Sequence, residues 1–338
     1  MMLDQVLGFS REMGEIMEEN AERPLITFAV VAYNQAQFVR EAINGAFSQT
    51  YQPLEIILSD DCSTDQTFEI MQEMAAEYEG PHKVRLRKNL KNLGLAGHIN
   101  KVIAASGGEI ISWAAGDDIA LPNRTEIFVD KLLADPGNIG VHSNVVEIDL
   151  IGLPIRERLH TNLESTTSFD KVIQRGQSVI TQSHAFRKSV FDVFGPFRAD
   201  LTQEGIAMAF RECSLGKVAF VDLCLTQYRI GCGVSTYSGA DINKRRSSEP
   251  IKFTNWYLSA FQQMLEDSRK LPYQLSSKQI NIIKKNIAFY TNLLEINQEQ
   301  RIITPLVRNF FMKPRDTKSL RAALRLILPV SFYRRIAS

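Results

Sequence analysis

The apolar positions of the chain change period repeatedly, and those changes mark out its elements. Residues 25–32 form a near-continuous apolar, β-branched run, the pattern of a strand covered on both faces. Just after it, Phe38, Val39, Ala42, Ile43, Ala46 and Phe47 fall on one stripe at 3.6-residue spacing, which predicts a helix packed on the sheet. The alternation continues, with strands predicted over 54–58, 83–87 and 109–115 and helices over 67–78 and 95–105. Ser63 and Gln66 have capping-box spacing ahead of the second helix, and Pro122 is placed to begin a fourth. Strands and helices alternating over short connections predict an α/β fold with a doubly wound, mostly parallel sheet and helices on both faces.

The two ends of the chain read differently. Leu3, Val6, Leu7, Met13, Ile16 and Met17 recur at helical spacing before Pro24, which predicts an amphipathic leader helix over 1–23. Beyond about residue 239 the strand signals fade, and 253–264 and 280–294 read as amphipathic helices. The expected organisation is therefore the leader, an α/β domain over 24–238 and a helical C-terminal extension over 239–338.

Composition adds limits rather than a function. Apolar residues make up 44% and charged residues 23% of 338, the balance of an ordinary globular protein with a substantial core. The net charge of +1, with no basic, aromatic-rich stripe, argues against a nucleic-acid partner. Charge is concentrated at the termini, where residues 301–338 carry nine bases against the single acid Asp316. There Leu320, Ala323, Leu324, Ile327 and Leu328 are interleaved with Arg321 and Arg325, which suits a helix lying on an anionic membrane surface; docking onto the α/β domain is the alternative. The cysteines, at 62, 213, 224 and 232, form no C-x-x-C pair and read as packing residues, and the histidines, at 82, 98, 142, 160 and 184, lack metal-ligand spacing and read as structural. With no secretory leader and no run near the roughly 20 apolar residues that cross a bilayer, the expected location is cytoplasmic, at the inner face of the plasma membrane if the tail binds lipid.

Candidate chemistry gathers at the carboxyl ends of the predicted strands, where ligands of such sheets bind. Tyr33 and Asn34 follow the first, Asp60 and Asp61 the second, and Asp117 and Asp118 the fourth. Adjacent carboxylates repel unless a cation or hydrogen-bond donors intervene, and Mg2+ or Mn2+ takes one or two carboxylates with phosphate and water completing its shell. A turn and helix cap near Pro122 is the plainer reading of Asp118, and a cap the plainer reading of Asp60 and Asp61. A dinucleotide-dependent oxidoreductase would share the sheet, but Val31-Ala32-Tyr33-Asn34-Gln35-Ala36 lacks the glycine-rich turn it needs.

The ordered set Val30-Val31-Ala32-Tyr33-Asn34, Ser48-Gln49-Thr50-Tyr51, Asp60 to Thr67, Asn92-Leu93-Gly94 and Gly116-Asp117-Asp118 resembles the inverting family 2 glycosyltransferases of GT-A fold over about residues 25–237. The resemblance implies a nucleoside-diphosphate sugar donor, UDP-sugar favoured, and a glycan or lipid-linked acceptor in bacterial surface polysaccharide assembly. It implies that Tyr33 lies near the base with Asn34, that Asp61 recognises the base, that Asn92 and Gly94 belong to the same binding region, that Asp117 approaches the ribose and that Asp118 holds Mn2+ or Mg2+ on the diphosphate. The family's Glu-Asp pair, whose aspartate is the general base, is here Glu204-Gly205, so Glu204 is the candidate base; a helix N-terminal carboxylate is its alternative. Arg229 is a candidate diphosphate contact or a core-edge arginine, and relatives often have a histidine near Gly231. A noncatalytic sugar-nucleotide-binding or scaffold protein is the competing reading.

Overall fold

The structure, a computed structural model, describes residues 23–158, 168–232 and 242–300. The expected leader helix and basic tail lie outside the described residues.

The parallel half of the sheet follows from buried, β-branched runs. β1 (Ile26–Ala32) is followed by α1 (Val39–Phe47), β2 (Leu54–Asp60), α2 (Thr67–Ala76), β3 (Lys83–Lys88), α3 (Gly94–Ala105) and β4 (Ile110–Ala115). β1 pairs in parallel with β2 on one side and β4 on the other, and β2 pairs in parallel with β3. Alternate residues of β1 serve opposite faces: Ile26, Phe28 and Val30 pack with Val39, Ala42 and Ile43 of α1, while Ala29 packs with Ile99 and Val102 of α3. Strand order therefore reverses between β1 and β4, placing the ligand-binding crevice at their carboxyl ends.

Beyond β4 the sheet becomes mixed. It adds β5 (Ile119–Ala120), α4 (Arg124–Leu133), β6 (Asn138–Ile148), β7 (Pro154–Arg158), α5 (Phe169–Arg175), β8 (His184–Arg187), α6 (Ser189–Phe194), α7 (Glu204–Leu215) and β9 (Lys217–Arg229). The order across the sheet is β3-β2-β1-β4-β8-β6-β9-β5, with β7 on β6. β8 runs antiparallel to both β4 and β6, and the short β5 pairs antiparallel with β9. This last ladder brings the end of β9 back against the loop that leaves β4.

The helical extension, α8 (Ile242–Asp267) and α9 (Ser277–Gln300), closes one face of the sheet. Ala260, Phe261, Met264 and Ile283 share a core with Phe186, Ile206 and Phe210. Arg211 of α7 is fully buried and fastens α8 by a two-pronged bond to Asp267, at 2.7 Å and 3.1 Å. Its guanidinium lies within 4.4–5.3 Å of the ring centres of Phe191, Phe194 and Phe197, and Nη1 donates to the Gly195 carbonyl. Asp267→Ala would leave that cation buried without its counter-charge, and is expected to cost about 3–5 kcal/mol in reversible denaturant unfolding. A loss below 1 kcal/mol would show that the contact contributes little.

Candidate active site

The rim of the crevice is stitched together by its own polar side chains. Asp60, fully buried, accepts from the backbone N–H of Ser63 at 2.9 Å and from the Ser63 hydroxyl. Ser63 Oγ in turn accepts the Asn34 N–H at 2.8 Å, and Asn34 Oδ1 accepts from the Thr64 N–H at 2.8 Å. Asp65 receives the N–H groups of Ala36 and Thr67, both at 3.0 Å. The loops after β1 and β2 are thus held as one body, with Asn34 and Cys62 both at positive φ. The expected capping box does not form: Gln66 occupies the N-cap of α2 without a side-chain bond, because Ser63 is drawn to Asp60 and Asn34 instead.

This stitching places the candidate nucleoside contacts. Tyr33 emerges from β1 with its ring 42% exposed, open to a planar partner. Asp61 is buried and its Oδ1 accepts from Asn89 Nδ2 at 2.6 Å and the Leu93 N–H at 2.9 Å, which fixes its direction. Asn92 turns the chain by accepting the Gly94 N–H at 2.8 Å, and Gly94, at φ 69°, opens α3. Both act on backbone shape here. Beneath Asp61, burial lowers His98 to about 4, and its Nε2 lies 2.6 Å from Ser59 Oγ.

The second acidic pair sits across the crevice. Val31 pairs with Ala115 and Ala32 with Asp60, so Gly116-Asp117-Asp118 leaves β4 level with the Asp60-Asp61 turn. Asp117 and Asp118 are 4% and 1% exposed. Burial raises both carboxyls, Asp118 well above the usual carboxylate range with the Asp117 charge adding to it. Asp118 Oδ1 accepts the Arg229 N–H at 2.9 Å, and Asp117 Oδ2 lies 3.4 Å from the Cys232 thiol, which burial and Asp117 push up to about 12. Gln35 Oε1 lies beside the same loop, where a Cβ on Gly116 would overlap it. Arg124, fully buried and brought down to about 9 by burial, adds positive charge near Asp118.

Adjacent acids penalised in this way suit a divalent cation. Among the described residues no cluster of three or more His, Cys, Asp or Glu side chains is arranged to hold a metal ion. Such a cation would take one or two protein oxygens here and the rest from phosphate and water, the habit of Mg2+ and Mn2+.

Arg229, expected as a diphosphate contact or a core-edge arginine, sits as a brace. It is fully buried, and its guanidinium donates to the Asp117 carbonyl at 3.1 Å, the Asp149 carbonyl at 2.9 Å and Glu41 Oε2 at 2.8 Å, above the ring of Phe38. It shapes the loop that carries the acids. Gly231 sits at φ 96°, a backbone that a side chain such as histidine rarely adopts.

Glu204 begins α7 on another wall, half-buried, with Thr181 packed against the neighbouring Gly205, and its carboxyl is raised by burial. Gly205 is closed to larger residues, because a Cβ there would overlap Ser178 Oγ and stand 2.8 Å from Gln203 Nε2 and 3.1 Å from Thr181 Cγ2. Sequence reasoning missed Gln35, Glu41, Arg124, Thr181 and Cys232. No sequence signal marks the first four, whereas Cys232 stands beside the position where relatives often have histidine.

The raised carboxyl of Asp118 sets the sign of a pH effect. Below the ordinary carboxylate range, near pH 4, the side chain is protonated folded or unfolded and costs nothing. As pH rises from that range toward the elevated folded value, the unfolded chain ionises while the folded side chain keeps its proton, which increasingly disfavours the metal-free fold, and above that value the penalty is constant. Asp118→Asn, whose amide oxygen still accepts the Arg229 N–H, is expected to raise the melting temperature of chelator-treated protein by about 2 °C or more at neutral pH, and by less near pH 4. Equal shifts at both pH values would contradict it.

Residues 27–194 match the family model described as Glycosyl transferase family 2. Curated relatives include an uncharacterized glycosyltransferase of Nostoc sp., 26% identical over 246 residues, 70% of this chain and 75% of that one. Another is an uncharacterized glycosyltransferase of Rickettsia typhi, 36% identical over 110 residues and 32% of each chain. The chain spans about a third of the length of several such relatives. In structure it is similar to the mannosyltransferase PcManGT from Pyrobaculum calidifontis, solved in complex with GDP-Man and Mn2+, with a TM-score of 0.56 and 16% identity over 90% of this chain and 86% of that one. It is also similar to S. aureus TarS 1-349 in complex with UDP, with a TM-score of 0.53 and 13% identity over 88% and 78%. The fold is shared with these GT-A type enzymes, and residues 27–194 of the chain form a glycosyltransferase family 2 domain.

Proposed function

We propose that the chain is an inverting glycosyltransferase that takes its sugar from a nucleoside diphosphate, a UDP-sugar by preference, and delivers it to a glycan or lipid-linked acceptor in bacterial surface polysaccharide assembly. The observation that carries the reading is the meeting of Tyr33, Asp61 and the Asp117-Asp118 pair at the carboxyl ends of β1, β2 and β4, on either side of the point where strand order reverses. Tyr33 stacks on the base, Asp61 accepts from it and Asp117 accepts from the ribose. Asp118 would hold Mn2+ or Mg2+, and the ion when bound would supply neutralisation of charge on the departing diphosphate. Support for the donor class comes from similar enzymes solved with UDP and with GDP-Man and Mn2+.

Glu204 serves as general base. Its carboxyl, raised by burial, is better matched to accepting a proton near neutral pH than an exposed glutamate. The acceptor oxygen bonds to the anomeric carbon as its proton passes to Glu204, and the bond from that carbon to the diphosphate breaks with its electron pair leaving on the nucleotide. The packing around Gly205 also favours a second reading, a sugar-nucleotide-binding protein without turnover, since the usual aspartate has no room there. No helix among the described residues is long and apolar enough to cross a membrane, and membrane contact through residues 301–338 remains part of the proposal.

Two measurements separate the readings. In a thermal-shift screen with manganese, UDP is expected to raise the melting temperature more than GDP, and the gain should vanish in Asp118→Ala. Glu204→Gln is expected to lower kcat for sugar transfer about 100-fold or more with little change in donor affinity. Unchanged turnover in that variant would remove Glu204 from the mechanism, and absence of turnover in the wild type would favour the binding protein.

A further inference from the structure

Asp61, the carboxylate proposed to meet the base, is half occupied before any nucleotide arrives. A carboxylate has about four acceptor positions on its two oxygens. Two of them are taken in the folded chain, and both lie on Oδ1, which accepts from Asn89 Nδ2 at 2.6 Å and from the Leu93 N–H at 2.9 Å. Oδ2 accepts no hydrogen bond among the described residues and is not sealed from water, although the residue is 3% exposed. The acid therefore offers a ligand one oxygen rather than two.

Arg87 decides how Asn89 contributes to that division. An amide can turn either its oxygen or its nitrogen toward a neighbour, and only the nitrogen can donate. Arg87 Nη2 donates to Asn89 Oδ1 at 2.6 Å, which forces the amide nitrogen toward Asp61. Turned the other way, the amide would set its N–H against the guanidinium and its oxygen against the carboxylate. Arg87 is itself held by Nη1 on Ser59 Oγ, the hydroxyl opposite it in the β2–β3 register, and His98 Nε2 lies 2.6 Å from the same oxygen. The Asn89 N–H on the Asp60 carbonyl and the Asp61 N–H on the Ala32 carbonyl, both at 2.9 Å, fix the two backbones.

Bases differ in what they ask of such an acid. Uracil and thymine carry one ring N–H between two carbonyls, and one oxygen satisfies it. Guanine carries a ring N–H beside an exocyclic amine, two donors that pair side by side with both oxygens of a carboxylate. With Oδ1 occupied, the amine is left without an acceptor once water is excluded, which is costly. Cytosine and adenine turn a bare ring nitrogen to the acid, so lone pair meets lone pair.

We propose that Asn89, oriented by Arg87, is a specificity-determining residue of the donor site: by filling Oδ1 of Asp61 it leaves one acceptor oxygen, which selects a nucleoside diphosphate with uracil or thymine over one with guanine. The inference rests on Asp61 being the base contact. Asn89 itself touches no base and acts through the acid, as Arg87 acts through Asn89. Removing Asn89 leaves Oδ1 with the Leu93 N–H alone, so the second oxygen regains a position for the guanine amine.

Isothermal titration calorimetry of the full-length protein with Mn2+ tests this by measuring Kd for UDP and for GDP. Wild type is expected to bind UDP about tenfold or more tightly than GDP. Asn89→Ala is expected to shrink that ratio about fivefold or more, with GDP binding gaining in absolute terms. Arg87→Leu, which frees the Asn89 amide to turn, should shift the ratio in the same direction and keeps the test usable if Asn89→Ala fails to fold. A merely structural role would weaken both nucleotides alike, so an unchanged ratio in the folded variants overturns the proposal, as does a wild type that prefers GDP. Asp61→Asn tests the underlying reading separately. Wild-type UDP affinity in that variant would show that Asp61 is not the base contact, whereas lost UDP affinity there with an unchanged ratio in Asn89→Ala sinks the role of Asn89 alone.

Discussion

A buried carboxylate accepting a backbone N–H from a distant strand is the interaction on which the site depends. Asp118 leaves the end of β4, yet its partner is the N–H of Arg229 at the end of β9. That bond, with the β5–β9 ladder beside it and the Leu121 N–H on the Leu225 carbonyl, draws the second half of the sheet across the mouth of the first. Arg229 then returns the favour through the Asp117 carbonyl, so the loop bearing both acids is held from two directions. Burying charge of this kind is unfavourable without compensation. Arg124, Arg229 and the backbone supply part of it, and a cation with a diphosphate would supply the remainder.

The same economy governs the opposite rim. Of the two acids after β2, Asp60 is consumed in building the turn through Ser63, while Asp61 is aimed by Asn89 and the Leu93 N–H. Asn34 ties that turn to the end of β1 through Thr64. Residues that look alike in sequence therefore divide into those that make the rim rigid and those that are aimed without being consumed in it. Rigidity matters because transition-state stabilisation depends on donors and acceptors fixed before the substrate arrives.

The parallel half of the fold and the strand-end acids were legible because they depend on local pattern. Buried runs at 25–32, 54–58 and 109–115, with amphipathic stripes between them, specify strand, helix and the edge at which Tyr33, Asp61 and Asp118 emerge. What was hidden depends on pairing between distant segments. Nothing near Arg229 says that Glu41 and Asp149 will meet its guanidinium, so the sequence left diphosphate contact and core-edge arginine both open. Ser63 had capping-box spacing, yet Asp60, three residues before it, and Asn34, adjacent only once β1 and β2 pair, competed for it and won. The mixed order beyond β4 was equally invisible, because antiparallel β8 inserts between β4 and β6 from more than 35 residues away.

Helix α7 shows how stability and chemistry share one element. Its middle is anchored by Arg211 on Asp267 of the extension, its buried face carries Glu212 against His184, and its first residue is Glu204. Gly205 permits the close packing of this helix start on Ser178 and Thr181. The extension that clamps α7 through Asp267 fixes the direction in which the helix presents its first residue, and such fixed direction is what the proton transfer proposed for Glu204 requires.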